Sequence, residues 1–200
     1  MNLPDKCLDN FLKHARLAGV LDEGSALPHL KKGEKDFNVL ELGPGDSLSS
    51  LVVAKALGAS RTWLVDVDYF AKTDMAVYDK MSDELRLRGF ILPFIKNPST
   101  IDELLKECGG EYLTEGLQSL AKIPSESVDF SFSQVVLSVV LKRDFNNLAK
   151  ELFRIMKPNS VSHHRVDLKD FLISKIPKLG SNERCKLHAN QLVEVVVLCR

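Results

Sequence analysis

The run Phe37-Asn38-Val39-Leu40-Glu41-Leu42-Gly43-Pro44-Gly45-Asp46 joins a short apolar stretch to an acid and then to two glycines two apart. About 20 residues beyond Gly45, a second apolar stretch, Thr62 to Val65, ends in Asp66. A buried strand that enters a glycine turn lets backbone come close to a ligand, because glycine has no Cβ and tolerates positive φ. An acid ending the next strand is placed to accept hydrogen bonds from ribose hydroxyls. Glu41 narrows the ligand further. A dinucleotide would set its pyrophosphate at the helix start beyond the glycines, and a carboxylate so close would repel it. A cationic nucleoside without phosphate suits the turn better. The bland counterpart is an ordinary strand–turn–helix in which Asp66 faces solvent.

Glu41-Leu42-Gly43-Pro44-Gly45 followed by Asp66 resembles motif I and the second-strand acid of class I S-adenosylmethionine-dependent methyltransferases. The resemblance implies that the turn of Glu41, Gly43 and Gly45 passes under the methionyl part of the cofactor and that Asp66 holds its ribose. Ser47 stands where the family's third glycine is usual. Gly116-Leu117, just past the third strand, matches where this superfamily touches the adenine ring, and a plain loop reads equally well there. Ser133 and Gln134 end the fourth strand and are assigned to the same cofactor pocket. The run SVDFxxSQxVL and the later RIMKPxxVSxHRVDLKD resemble a bacterial subgroup of these enzymes, several of which are associated with surface-glycan biosynthesis. That similarity covers residues 35–172. The chain departs from it at Ser138-Val139, where the subgroup has Glu-His, and at Phe171, where it has His.

His163 and His164 lie on the fifth strand, and strand alternation sends them to opposite faces, so only one can face a pocket. His164 aligns with the subgroup's histidine. If the acceptor is a hydroxyl, a base must take its proton as the methyl arrives, and a histidine oriented by an acid suits that task. His164 with Asp167 is therefore the expected catalytic pair; a packed His164 and a helix-capping Asp167 are the structural alternative. A metal site from His163, His164, Asp167 and Asp170 runs against the opposite facing of the histidines, and none is assigned. Lys142, Arg143 and Asp144 read as solvated surface.

The bulk composition sets limits. Two hundred residues, 44% hydrophobic and 27% charged, are enough for one domain with its own core. Lys+Arg and Asp+Glu total 27 each, so the net charge is zero and no basic face argues for nucleic acid. Cys7, Cys108, Cys185 and Cys199 have no C-x-x-C spacing and read as reduced thiols. The N-terminus is amphipathic, not a signal peptide. The longest apolar stretch, near Leu192 to Cys199, is too short to span a bilayer. These features point to the cytoplasm.

The elements that must position these residues alternate. Helices are expected over 3–18, 47–57, 74–88, a short piece capped by Ser99, and 144–156; Gly19, Gly58, Gly89 and Gly109-Gly110 mark the ends of the first four. Strands are expected over 37–42, 60–67, 111–114, 127–136 and 160–166. Gly24 to Lys35 and Pro93 to Pro98 read as loops, and Lys157-Pro158-Asn159 as a turn. The fold class is α/β: a Rossmann-like, doubly wound, mostly parallel sheet with helices on both faces. The single domain divides into an N-terminal helix and loop (1–34), a cofactor-binding core (35–170) and a tail (171–200). In the tail only Gln191 to Leu198 is a convincing strand, whereas the family closes this edge with an antiparallel hairpin. Gly180 to Arg184 looks like subgroup sequence, and the residues after Arg184 do not. A narrower or open acceptor site, a homodimer that supplies the missing edge, and a degenerate protein all fit that tail.

The expected function is methyl transfer from S-adenosylmethionine to a small-molecule hydroxyl or amine, a sugar or glycan precursor among the acceptors. The alternative is a degenerate cofactor-binding protein with little catalysis. A nicotinamide oxidoreductase is opposed by Glu41, by the missing third glycine and by the lack of a Tyr-x-x-x-Lys pair. An NTPase is opposed by the lack of a G-x-x-x-x-G-K-[ST] loop.

Overall fold

The computed structural model describes residues 4–24, 26–31, 36–94, 96–167 and 192–199. Two short strands, β1 (Leu21–Asp22) and β2 (His29–Leu30), pair with each other ahead of the main sheet. That sheet holds β3 (Asn38–Leu42), β4 (Arg61–Val65), β5 (Gly110–Leu113), β6 (Val128–Gln134), β7 (Met156–Asp167) and β8 (Leu192–Leu198). Its order is β5-β4-β3-β6-β7-β8. The first five run parallel, and β8 runs antiparallel to β7. From β3 the chain builds outward through β4 and β5, then crosses back to lay β6 on the other side of β3. That reversal makes a switch point between β3 and β6, and the crevice at their carboxyl ends is where such sheets bind ligands.

Side-chain alternation assigns each face its helices. On β3, Val39 belongs to the larger core and Leu40 and Leu42 to the smaller one. The larger core packs α1 (Pro4–Leu17), α2 (Ser49–Ala56), α3 (Ala76–Leu87) and α4 (Ile101–Cys108) through Phe11, Leu51, Met81 and Leu104. The smaller core sets Trp63, Val65 and Leu40 against the short α5 (Leu117–Leu120) and the long α6 (Lys142–Ile155). Helix α1 lies across the sheet with Leu8, Phe11 and Ala15 buried at helical spacing. Its Phe11 meets Phe132 of β6 edge to face, with ring centroids 5.2 Å apart.

Three sequence expectations need correction. Gly24 to Lys35 is not wholly loop: β2 falls within it and pairs antiparallel with β1, because buried Leu21 and Leu30 anchor both sides of the bend. The cap of α4 is Thr100, one residue after Ser99; its hydroxyl accepts from Glu103 N at 3.1 Å while Glu103 Oε2 accepts from Ser99 N at 2.7 Å. Lys157 to Asn159 continues β7 instead of forming a turn. Asn159 takes φ of 63°, the pairing of β6 with β7 shifts between Val128 and Phe130, and Asn159 N donates to Cys199 O at 2.7 Å. The bend that Pro158-Asn159 suggests is thus absorbed as a strand irregularity. Asp170, Phe171 and the Gly180 to Arg184 segment lie outside the described residues. No helix among the described residues is long and apolar enough to cross a membrane.

Candidate active site

The glycine turn leaves β3 at the switch point. Gly43 and Gly45 have φ of 67° and 69°, left-handed values that side chains rarely adopt. Gly43 N donates to Val65 O at 2.8 Å, which pins the turn to the end of β4. A Cβ on Gly43 would run into the Val136 side chain, whereas a Cβ on Gly45 would meet nothing. Val136 is aimed there by Val135, a β-branched residue at φ 66° whose N–H bonds Arg165 O at 2.8 Å. Such backbone costs about 1–3 kcal/mol and concentrates at functional sites. No sequence signal announces it.

Asp66 stands at the end of β4, largely buried. Its carboxylate accepts from Gly45 N at 3.0 Å and from Val67 N at 2.8 Å, and its backbone O accepts from Gly116 N at 2.8 Å. The acid therefore ties the glycine turn to the loop that begins α5. Each carboxylate oxygen keeps a second lone pair for a ligand.

Two cavities open on either side of Gly43. One, of about 470 Å³, is lined by Asp66, Gly116, Leu117, Val136 and the apolar Val65 and Leu148 among others. The second, of about 210 Å³, lies between α1 and the sheet and is lined by Glu41, Gln134, His14, Asn10, Cys7 and Ser50 among others. Gly43 lines both. Glu41 is buried and accepts a short hydrogen bond from the Ser50 hydroxyl of α2. Burial pushes its carboxyl up to about 7; the Ser50 bond opposes that rise and the nearby Asp66 charge adds to it. An acid so poised gains from a cationic partner.

The nominated residues separate into three groups. Asp66, Gly116 and Leu117 meet at the larger cavity, with Gly43 between the two and Gly45 tied to Asp66. Glu41 and Gln134 meet at the smaller one. Ser133, His164 and Asp167 line neither. Ser133 and Gln134 are neighbours on a strand and face opposite ways: Ser133 Oγ is 2.8 Å from His164 Nδ1, while Gln134 bonds His14.

The expected His164–Asp167 pair is not formed. His164 Nδ1 is engaged by Ser133 and Nε2 by Ser162 Oγ at 2.6 Å, and the ring is 3% exposed. Burial, with the charges of His163 and His14 adding, lowers it to about 4. Asp167 lies an odd number of residues along the strand, so its side chain leaves the other face, and its backbone N donates to Ser138 Oγ at 2.8 Å. A histidine closed off by two serines is a packed strand residue.

Sequence reasoning misses His14. It projects from α1 into the smaller cavity, with Nε2 2.9 Å from Gln134 Oε1 and Nδ1 2.5 Å from His163 Nδ1. A single histidine on the apolar face of an amphipathic helix gives no sign of what it will meet.

No protein-family model matches the chain. No curated protein matches it either. Among solved structures it resembles an S-adenosylmethionine-dependent methyltransferase from Mesorhizobium loti, at 17% identity and a TM-score of 0.44 over 80% of this chain and 56% of that one. It also resembles one from Archaeoglobus fulgidus, at 13% identity and a TM-score of 0.45 over 80% of this chain and 53% of that one. A third is the [4+2]-cyclase SpnF, at 14% identity and a TM-score of 0.46 over 82% of this chain and 44% of that one. The chain spans about half the length of these structures. S-adenosylmethionine-dependent methyltransferases recur among the solved structures it is similar to.

Proposed function

We propose that this chain binds S-adenosylmethionine and transfers its methyl group to a hydroxyl or amine of a small molecule. The observation that carries the reading is Asp66, a buried carboxylate on the rim of a 470 Å³ apolar cavity and bonded to the backbone of the glycine turn. Asp66 would hold the ribose diol, Gly116 and Leu117 would border the base, and Gly43 would let the chain pass from one cavity to the other. Glu41, pushed toward neutrality by burial, would regain its charge beside the ammonium of the methionyl part. The cradle fits such a ligand, because it offers a carboxylate to a diol and, among the described residues that line it, no Lys or Arg to a pyrophosphate. When bound, the cofactor supplies an electrophilic methyl on a sulfonium. The protein's share is alignment and exclusion of water, so no covalent nucleophile is required.

A sugar or glycan-precursor acceptor is supported by the resemblance of residues 35–172 to the glycan-associated subgroup. The replacement at Ser138-Val139 tempers the expected rate, because Ser138 is spent on the Asp167 backbone.

The test is Asp66→Ala. Two charge-assisted hydrogen bonds to the ribose are worth about 2–3 kcal/mol together, so calorimetry should record binding weaker by about 30- to 150-fold. The circular-dichroism spectrum should persist. Unchanged affinity in a folded variant would remove the ribose assignment.

A further inference from the structure

The buried histidine pair sits where acceptor chemistry is needed. His14 of α1 and His163 of β7 bring their Nδ1 atoms to 2.5 Å, with the rings edge to face and their centroids 4.7 Å apart. One of those nitrogens must carry a proton and the other a lone pair, since two N–H groups or two lone pairs repel at that distance. Glu194 of β8 decides which. Its Oε2 lies 3.4 Å from His163 Nε2, a buried nitrogen with no hydrogen-bond partner among the described residues, so the carboxylate acts on it through charge. A carboxylate there favours N–H on Nε2, which leaves His163 Nδ1 as the acceptor. His14 Nδ1 is then the donor, and His14 Nε2 keeps its lone pair. That nitrogen lies 2.9 Å from Gln134 Oε1, and a half-turn of the amide sets its NH₂ there to donate to the lone pair.

The chain of groups therefore runs from the carboxylate of Glu194 through two neutral imidazoles to a basic nitrogen in the cavity wall. His14, Gln134 and Asn10 line that cavity together with Glu41 and Gly43 of the glycine turn. Lys13 Nζ, 2.6 Å from Glu194 Oε1, fixes the far end and keeps the carboxylate ionised.

We infer that the 210 Å³ cavity under α1 receives the methyl acceptor beside the methionyl end held at Glu41 and that His14 Nε2 takes its proton, with His163 and Glu194 as positioning residues that fix the tautomer. The inference rests on the proposed function above. In the step, the acceptor's oxygen or nitrogen forms a bond to the methyl carbon. The S–C electron pair stays on sulfur, which becomes a neutral thioether, and the acceptor's proton goes to His14 Nε2 in place of the Gln134 donor. The imidazolium is stabilised by passing its Nδ1 proton toward His163 and charge toward Glu194. This is the role of a base held by a second group that is held by an acid.

The charged and titratable groups around His14 are Cys7 and Lys13 on its own helix, Glu41 on β3, His163, His164 and Arg165 on β7, and Glu194 on β8. Burial lowers His14 below the ordinary histidine value; the Gln134 oxygen beside Nε2 and Glu194 oppose that shift, His163 and Lys13 add to it, and turning the amide to present its NH₂ removes the Gln134 opposition. The free base is thus present at neutral pH, and the acid limb of turnover falls below the usual histidine range.

The test uses the full chain in three measurements. Nitrogen-15 spectra of histidine-labelled protein should show a coupling between the Nδ1 atoms of His14 and His163 and an unprotonated Nε2 on His14. Turnover is read with tritiated-methyl S-adenosylmethionine against a panel of monosaccharides, catechols and primary amines. His14→Gln should cut it by about 100-fold or more with cofactor affinity unchanged, and added imidazole should partly restore His14→Ala. Glu194→Gln should slow turnover and move its acid limb to lower pH, which lost packing alone would not do. A protonated His14 Nε2 at neutral pH, wild-type turnover in His14→Gln, or a wild type that binds cofactor but methylates nothing in the panel would overturn the inference. A wild type that fails to bind S-adenosylmethionine removes the underlying reading as well, and calorimetry shows this before any acceptor is added.

Discussion

Gly43→Ala against Gly45→Ala separates backbone strain from steric conflict in the same turn. Both glycines have nearly the same left-handed φ, 67° and 69°, so both substitutions carry the cost of a Cβ in that region, about 1–2 kcal/mol. Only Gly43 has a neighbour in the way, the Val136 side chain. Val136 cannot swing freely, because Val135 holds it from an already strained backbone. Forcing a methyl against it adds about 1–3 kcal/mol of overpacking, which brings Gly43→Ala to about 2–5 kcal/mol in all. Urea titration at constant m-value should therefore rank Gly43→Ala below Gly45→Ala by about 1–3 kcal/mol. Val136→Ala should restore that difference, as a coupling of the same size in a double-mutant cycle. Equal losses at the two glycines, or an additive double variant, would refute the contact. Because displaced Val136 methyls would enter the 470 Å³ cavity, Gly43→Ala should also weaken cofactor binding more than Gly45→Ala.

Burial raises Glu41 to about 7 from an ordinary 4.5, so the folded protein holds a proton there that the unfolded chain has released. Stability from this group is lost as pH rises through that window, on the order of 3 kcal/mol. Glu41→Gln should thus match wild type near pH 4.5 and exceed it at about pH 8; a difference that stays constant with pH would contradict the assignment. For His164, lowered to about 4, the sign is opposite: its contribution is full above its ordinary 6.5 and disappears as pH falls toward 4. His164→Ala should cost about 2–4 kcal/mol of stability, because Ser133 loses its partner and a cavity opens. Its calorimetric affinity for S-adenosylmethionine should be that of wild type, and a tenfold loss would return His164 to the site.

The fold was legible where local signals and periodicity agreed. Glycines at 19, 89 and 109 stop helices with positive φ, and the alternation of apolar runs and amphipathic helices yields the parallel sheet. Strand alternation also predicted the opposite facing of His163 and His164. It did not reveal that the face away from the cavity belongs to His164, because that depends on which helices cover each side. The pairing of His14 with His163 joins residues 149 apart, a separation that no local pattern encodes. Likewise β8 brings Glu194 to His163 only through antiparallel pairing with β7. The glycine turn and Asp66 were readable because their chemistry lies in adjacent elements with a fixed spacing. The proposed acceptor side was not, because it would be assembled from α1, β6, β7 and β8.

The most direct measurement is a calorimetric titration of the purified chain with S-adenosylmethionine, S-adenosylhomocysteine and NAD. The account predicts that both sulfur nucleosides bind with one site per chain, that NAD does not, and that Asp66→Ala weakens both by about 30-fold or more. Binding of NAD in place of the two, or sulfur-nucleoside binding that ignores Asp66, would contradict it.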